Sequence, residues 1–128
     1  METDEIKGKT MTAEQIKEHL AQFSGTECYY QHFTGMKYTD GVKALADMCG
    51  AYWLLDAIAS YQSKCRRDPM LVDQQFWFLK KTDSGWILIC ERDQDDVAFS
   101  QKIEYSDFPL DEVQVWVQNG VILLPSEY

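Results

Sequence analysis

The sequence contains few of the residues that build catalytic and metal-binding sites. Histidine occurs only at His19 and His32, and the four cysteines form no Cys-x-x-Cys pair. Cys28 and His32 have a Cys-x3-His spacing, but they supply only two of the four ligands of a structural zinc site. The chain also lacks a Gly-x-Ser-x-Gly nucleophile elbow and a glycine-rich phosphate loop. We therefore expect no bound metal and no cofactor, and these absences favour a protein that is not an enzyme.

Long apolar segments are missing as well. The run at residues 51–55 ends at Asp56, and no apolar run approaches the roughly 20 residues that span a bilayer. The first ten residues, METDEIKGKT, are polar and lack the apolar stretch of a signal peptide. The sequence therefore predicts a cytoplasmic protein that does not enter the membrane. In a reducing compartment we expect its cysteines to be free thiols, several of them in the core. They are Cys28, Cys49, Cys65 and Cys90.

Positive charge is scarce. The chain has 12 lysines and arginines against 21 aspartates and glutamates, which gives a net charge of −9. The imbalance is greatest in residues 91–128, where nine acidic residues accompany only Arg92 and Lys102. Proteins that bind nucleic acid present a cationic surface to the phosphates, so we expect no direct nucleic-acid binding. An acidic surface instead suits a protein partner with a basic surface.

The acidic turn at residues 91–96 has some of the carboxylates of a calcium-binding loop. Counted from Asp93, Asp95 falls at position three and Glu104 at position twelve. Ala98, however, stands where the sharp turn of such a loop requires glycine. We interpret the segment as a solvated turn between strands that contributes to binding a protein. Its candidate binding residues are Asp93, Asp95, Asp96 and Glu104.

The length fits one domain. We predict a flexible lead-in over residues 1–11 and a single α+β domain over residues 12–128. Thr12 and Gln15 have the spacing of a capping box, which begins a predicted helix at residues 13–22. A second helix is predicted over residues 41–62. It is apolar on most faces, which is typical of a helix buried between layers or against a partner.

Alternating apolar residues predict the strands. They lie at residues 27–33, 75–80, 86–91, 97–105, 113–118 and 121–124. Asn119-Gly120, between the last two, is a strong hairpin signal. Residues 110–118 also fit helical spacing, although their β-branched valines favour a strand. We predict an α+β fold in which two helices pack on a mostly antiparallel sheet formed mainly by the C-terminal half.

Asp56 lies within the apolar segment WLLDAI of the second predicted helix. Because a buried, unpaired carboxylate is costly, we expect a hydrogen bond from a neighbouring backbone group or from lysine or arginine. The alternative is a carboxylate at the floor of a pocket or at a dimer contact. The candidate binding residues around such a pocket are Asp56, Trp53, Tyr30 and His32.

Six segments together resemble a known family. They are residues 23–27 (FSGTE), 38–42 (YTDGV), 51–56 (AYWLLD), 101–105 (QKIEY), 107–111 (DFPLD) and 119–128 (NGVILLPSEY). In this order they resemble a small family of bacterial and phage proteins that is defined only as a domain of unknown function. The resemblance covers roughly residues 12–128. It implies no catalytic residues, and it implies an accessory protein of a mobile element that acts on host machinery.

Charge, composition and resemblance favour a non-enzymatic, acidic protein-binding module. In a phage-like context such a module inhibits a host defence or nucleic-acid-handling protein by direct binding to its basic cleft. Two alternatives stay open. The first is a small-molecule-binding protein or unrecognised hydrolase with a pocket near Asp56. The second is a structural homo-oligomer that buries the apolar second helix across a two-fold interface.

Overall fold

The computed structural model describes residues 12–26, 28–104 and 106–128. The predicted lead-in at residues 1–11 lies outside the described residues. Within them the chain forms four helices, a seven-stranded sheet and a C-terminal 3-10 turn at Pro125–Glu127. The helices are α1 (Ala13–Leu20), α2 (Asp40–Cys49), α3 (Tyr52–Ser60) and α4 (Gln62–Cys65). The strands are β1 (Tyr29–Gln31), β2 (Lys37–Thr39), β3 (Gln74–Thr82), β4 (Gly85–Asp93), β5 (Asp96–Ile103), β6 (Glu112–Gln118) and β7 (Val121–Leu123).

The sheet is mixed but mostly antiparallel. Its strand order is β1-β2-β7-β6-β3-β4-β5, and only β2 and β7 pair in parallel. The longest ladders join β3 to β4, β4 to β5 and β3 to β6, all from the C-terminal half. The predicted α+β fold class is therefore confirmed. Strand β2, a short segment before α2, was not predicted.

Two of the tight strand connections depend on a glycine. Between β6 and β7, Asn119 has φ 51° and Gly120 has φ 80°, as the hairpin signal requires. Residues 112–118 are thus a strand, and the helical alternative for this segment is excluded. At the start of β4, a Cβ on Gly85 would lie 2.8 Å from the Ile103 carbonyl oxygen. Glycine at this position therefore lets β5 pair closely with β4.

The predicted second helix is divided in the structure. Helix α2 ends at Cys49, because Gly50 adopts the left-handed conformation with φ 61°. The Gly50 N–H donates to the Ala46 carbonyl oxygen, which is a common way for a helix to end. A new helix, α3, begins at Tyr52. The apolar residues that suggested one helix buried on all sides therefore belong to two helices with separate buried stripes.

One face of the sheet packs against the helices and forms the core. Along β3 and β4 the side chains on this covered face are buried at every second position. They are Trp77, Leu79, Trp86, Leu88 and Cys90. Helices α2 and α3 supply the other side of the core, including Val42, Leu45, Leu54 and Ile58. Cys49, Cys65 and Cys90 are buried and Cys28 is exposed, and all four are free thiols, as predicted.

The opposite face of the sheet differs. Its apolar side chains are half-buried and do not belong to the core cluster to which the helices contribute. We call these residues the open face: Phe76, Phe78, Ile87, Ile89 and Trp116. The C-terminal turn covers this side of the sheet near β2 and β7, where Tyr128 contacts Trp116. No helix within the described residues has the length and apolar character needed to cross a membrane.

Candidate functional site

The open face is a continuous surface because its residues are direct cross-strand neighbours. Trp116 on β6 faces Phe76 on β3, which in turn faces Glu91 on β4. In the next row, Phe78 faces Ile89. Side chains in such register positions lie close enough to contact one another. The Phe76 and Trp116 rings meet edge to face, with centroids 5.3 Å apart.

A cavity of about 250 Å³ opens at one end of this face. We call it the aromatic–acidic pocket. Its lining combines three aromatic rings, two carboxylates and two side-chain amides. The lining residues are Phe76, Phe78, Trp116, Glu91, Asp93, Gln94 and Gln114. Apolar walls with a few polar groups are the usual composition of a ligand site.

The acids of this pocket do not pair with the arginine that lies between them in the sequence. Arg92, between Glu91 and Asp93, instead donates to Asp68 at 2.7 Å and to Asp96 at 2.9 Å. The hydrogen bond from Arg92 lowers the pKa of the Asp68 carboxyl. Among the described residues neither Glu91 nor Asp93 forms a salt bridge. Within the described residues, no salt bridge therefore neutralises the negative charge of Glu91 and Asp93.

Trp116 has an unpaired hydrogen-bond donor. Its indole Nε1 is buried and has no acceptor within the described part of the chain. Buried indole N–H groups usually find a partner, so such an orphan marks an incomplete environment. It lies on a tryptophan that also lines the aromatic–acidic pocket.

The four acids predicted as binding residues are not all brought together. Asp93 lines the pocket, and its carboxylate also accepts from the Gln94 N–H at 2.8 Å. Asp95 is exposed in the β4–β5 turn, with φ 63°. Asp96 pairs with Arg92. Glu104 is exposed after the far end of β5. No three metal-ligating side chains form a group within the residues that the structure describes.

The second predicted group centres on His32 and Asp56, which do meet. The His32 Nε2 lies 2.7 Å from the Asp56 Oδ1. Thr34 contacts the other ring nitrogen, Nδ1, through its Oγ1 at 2.8 Å and donates its backbone N–H at 3.2 Å. This pattern fits the tautomer in which Nε2–H donates to Asp56. The partner of Asp56 is thus a histidine 24 residues earlier.

Asp56 is not buried, contrary to the expectation from its apolar neighbours. Its side chain is 60% exposed, whereas that of His32 is 7% exposed. The contact links the β1–β2 connection to α3. Tyr30 stacks instead on Tyr38, with centroids 5.7 Å apart, and Trp53 packs half-buried against the core. His32 and Asp56 line none of the cavities of about 250, 270 and 580 Å³ in the described residues.

The open-face aromatic residues were not predicted as a site, although β3 carries a signal for them. Its segment Phe76-Trp77-Phe78-Leu79 is apolar at consecutive positions, so both faces of the strand are apolar. Such a strand is usually buried on both sides. Nothing in the sequence shows that the helices of the described residues cover only one of the two sides.

Glu127, one of the nine acidic residues of the C-terminal segment 91–128, is buried. Its carboxylate accepts hydrogen bonds from the Thr39 Oγ1 at 2.6 Å, the Leu124 N–H at 2.9 Å and the Gly41 N–H at 3.2 Å. A Cβ at position 41 would lie 2.6 Å from the Glu127 Cδ. Two of the segments that carry the family resemblance, residues 38–42 and 119–128, therefore meet here in a structural role.

The fold and the site define a small α+β protein. Within the described residues, helices cover one face of its sheet, and the other face carries the aromatic–acidic pocket. The chain belongs to a family of unknown function (DUF6876), whose model matches residues 14–128. The predicted resemblance to a family without a known function is thus confirmed, and its mobile-element context stays a prediction. No curated protein and no solved structure matches the chain significantly.

Proposed function

We propose that this protein is a non-enzymatic protein-binding module that docks through its open face onto a partner with a basic surface. The observation that carries the proposal is an aromatic row of the sheet that no helix covers within the described residues, beside two carboxylates that form no salt bridge there. Phe76 and Trp116 form this row, and Glu91 and Asp93 flank it.

The apolar character of the open face supports this proposal. An antiparallel sheet with one solvated face normally carries polar side chains there. Here Phe76, Phe78, Ile87 and Ile89 occupy those positions on β3 and β4. Apolar patches of this kind on a folded protein mark interaction sites, and aromatic residues dominate the binding energy of protein interfaces.

The charge distribution supports a basic partner. The chain carries a net charge of −9, and Arg92 is already occupied by Asp68 and Asp96. Such a surface accelerates association with a positively charged protein and excludes acidic ones. The role that we propose is inhibition of a host defence or nucleic-acid-handling protein, whose basic cleft the module covers.

The test is affinity capture from host-cell lysate with the full chain and two variants. Phe78→Gln changes the centre of the open face, and Met70→Gln changes an exposed apolar residue in a loop. We expect the wild-type chain and Met70→Gln to capture the same partner and Phe78→Gln to lose it. Circular dichroism verifies that both variants fold.

Two results contradict the proposal. Equal capture by Phe78→Gln removes the open face from the interface. Affinity that does not fall with rising salt removes the basic-cleft mechanism, because charge-driven association is screened by salt.

A second candidate function has one specific observation in its favour. His32 lies between Thr34 and Asp56 with hydrogen-bond distances of 2.8 and 2.7 Å, which is the arrangement of a base with its orienting carboxylate. The alternative proposal is a hydrolase or small-molecule-binding protein that uses this group. Chromogenic ester and phosphate substrates test it, with His32→Gln as the matched variant. Identical rates for the two proteins reject the hydrolase.

Homo-oligomerisation also stays a proposal. The apolar residues of α2, among them Val42 and Leu45, are already buried inside the chain. A two-fold interface would therefore use the open face. Light scattering at micromolar concentration tests this, and a monomer would reject it.

A further inference from the structure

We infer that the aromatic–acidic pocket binds an arginine side chain, supplied by the partner that docks on the open face. This inference rests on the proposed function, because the pocket lies on the proposed docking surface. It adds the chemical group that the surface recognises.

The size of the pocket suits a single side chain. Its volume is about 250 Å³. Sites for drug-sized ligands usually enclose about 300–1,000 Å³, so this pocket is smaller than the range for such molecules. A pocket at the end of an aromatic row is also the usual place for an anchor residue of a protein partner.

The walls of the pocket favour a cation. Phe76, Phe78 and Trp116 present aromatic rings, whose faces attract positive charge. One such contact already exists on this face, because the Lys80 Nζ lies 5.1 Å from the Phe78 ring centroid. An incoming cation would meet both aromatic faces and carboxylates.

The polar groups favour a guanidinium over an ammonium group. Glu91 and Asp93 carry carboxylates, Gln94 and Gln114 carry side-chain amides, and all four residues line one cavity. A guanidinium has five N–H donors in a plane and can stack on a ring while it donates to several acceptors. The compact ammonium group of lysine has three donors and no planar surface.

The experiment uses the full chain and a minimal probe, Nα-acetyl-arginine amide, with the citrulline analogue as the neutral isostere. The indole N–H signal of Trp116, assigned by Trp116→Phe, reports binding in a two-dimensional NMR titration. We expect the arginine probe to shift this signal in a saturable manner and the citrulline probe to leave it unchanged.

Two sets of substitutions place the site. Removing both charges, with Glu91→Gln and Asp93→Asn, should weaken binding of the arginine probe by about tenfold or more. Glu112→Gln is the matched control, because Glu112 is exposed and pairs with Lys80 in the register, outside the pocket lining. It should leave the affinity unchanged. The inference would be overturned if the citrulline probe bound as tightly as the arginine probe. It would also be overturned if Glu112→Gln weakened binding as much as Glu91→Gln with Asp93→Asn.

The outcome is distinguishable from failure of the proposed function. If Phe78→Gln abolishes capture of a partner but the arginine probe does not bind, docking stands and the arginine pocket is rejected. If the probe binds as expected but Phe78→Gln captures the partner normally, the pocket stands and the docking proposal is rejected.

Discussion

The two faces of the sheet carry similar residues, but they differ in how many of the polar groups on these side chains have a hydrogen-bond partner. Trp77, on the covered face, is 1% exposed, and its indole N–H donates to the Gln75 Oε1 at 2.8 Å. Trp116, on the open face of the neighbouring strand, has a buried indole N–H without a partner among the described residues. Hydrophobicity alone does not separate the two tryptophans. The difference teaches that the covered face pairs the polar group of its tryptophan, whereas the open face leaves that of Trp116 without an acceptor among the described residues.

On the covered face, a network of side-chain amides provides hydrogen-bond partners for the buried polar groups. Gln75 donates to the Gln62 Oε1 at 2.9 Å and to the Leu71 carbonyl oxygen at 3.0 Å. Its own Oε1 accepts from Trp77 and, at 2.9 Å, from the Gln62 amide. All hydrogen-bonding capacity of this buried side chain is thus used. A network of this kind fixes where α4 and the following loop lie on the sheet.

The largest expected difference between the faces concerns two adjacent residues of β3. Leu79→Ala removes a buried side chain from the core and should lower the free energy of unfolding by about 2–5 kcal/mol. Phe78→Ala removes a larger but half-buried side chain and should cost less than Leu79→Ala. Urea unfolding measures both values. Equal costs would show that the open face contributes to stability as the core does.

Most of the fold was predictable because its signals are local. The capping box of Thr12 and Gln15 forms as predicted, and so does the Asn119-Gly120 hairpin. The break at Gly50 was missed because a single glycine is compatible with a continuous helical pattern. Hydrophobic periodicity does not report the positive φ of Gly50 that ends α2.

The candidate site was harder to predict because it depends on contacts between distant segments. The predicted partner of Asp56 was a neighbouring backbone group, lysine or arginine, but the structure pairs it with His32 from the β1–β2 connection. The aromatic–acidic pocket joins β3, β4 and β6 through strand register. Asp93 was chosen for its charge, whereas Phe76 and Trp116 were attributed to no site. A pattern of alternation shows that a strand has two faces, but not which face lacks a cover.

The next largest effect concerns the end of the sheet that the C-terminal turn covers. Glu127→Ala removes the acceptor of three hydrogen bonds, including those from Thr39 and Gly41. Leaving such buried donors unpaired should cost about 2–3 kcal/mol of unfolding free energy. Exposed Glu112→Ala is the control and should change stability little. Similar values for both would show that the turn does not hold this end of the sheet.

A smaller effect is expected within the amide network. Gln75→Ala leaves the Trp77 indole N–H without its acceptor, which should cost about 1–2 kcal/mol. Gln114→Ala, on the open face, is the matched change and should cost less, because Gln114 is half-buried. Thermal unfolding of both variants measures the difference. A larger loss of stability for Gln114→Ala than for Gln75→Ala would show that the hydrogen bonds of the covered face do not stabilise the fold more than those of the open face.

The smallest expected effect on stability concerns Arg92 of β4, which forms salt bridges, whereas the adjacent Glu91 forms none within the described residues. The hydrogen bond from Arg92 lowers the pKa of Asp68 in the folded state. The hydrogen bond therefore stabilises the folded protein at pH values above about 4, the pKa of an aspartate carboxyl in the unfolded chain. This stabilisation is lost as the pH falls through the lower pKa of Asp68 in the folded state. Asp68→Asn should reduce this acid-side loss of stability, which urea unfolding measures at a series of pH values. Asp83→Asn, in the exposed β3–β4 turn, is the control and should keep the wild-type profile. If Asp68→Asn also keeps the wild-type pH profile, the hydrogen bond between Arg92 and Asp68 does not stabilise the fold. The charge of Arg92 is then available to neutralise Glu91 at the pocket.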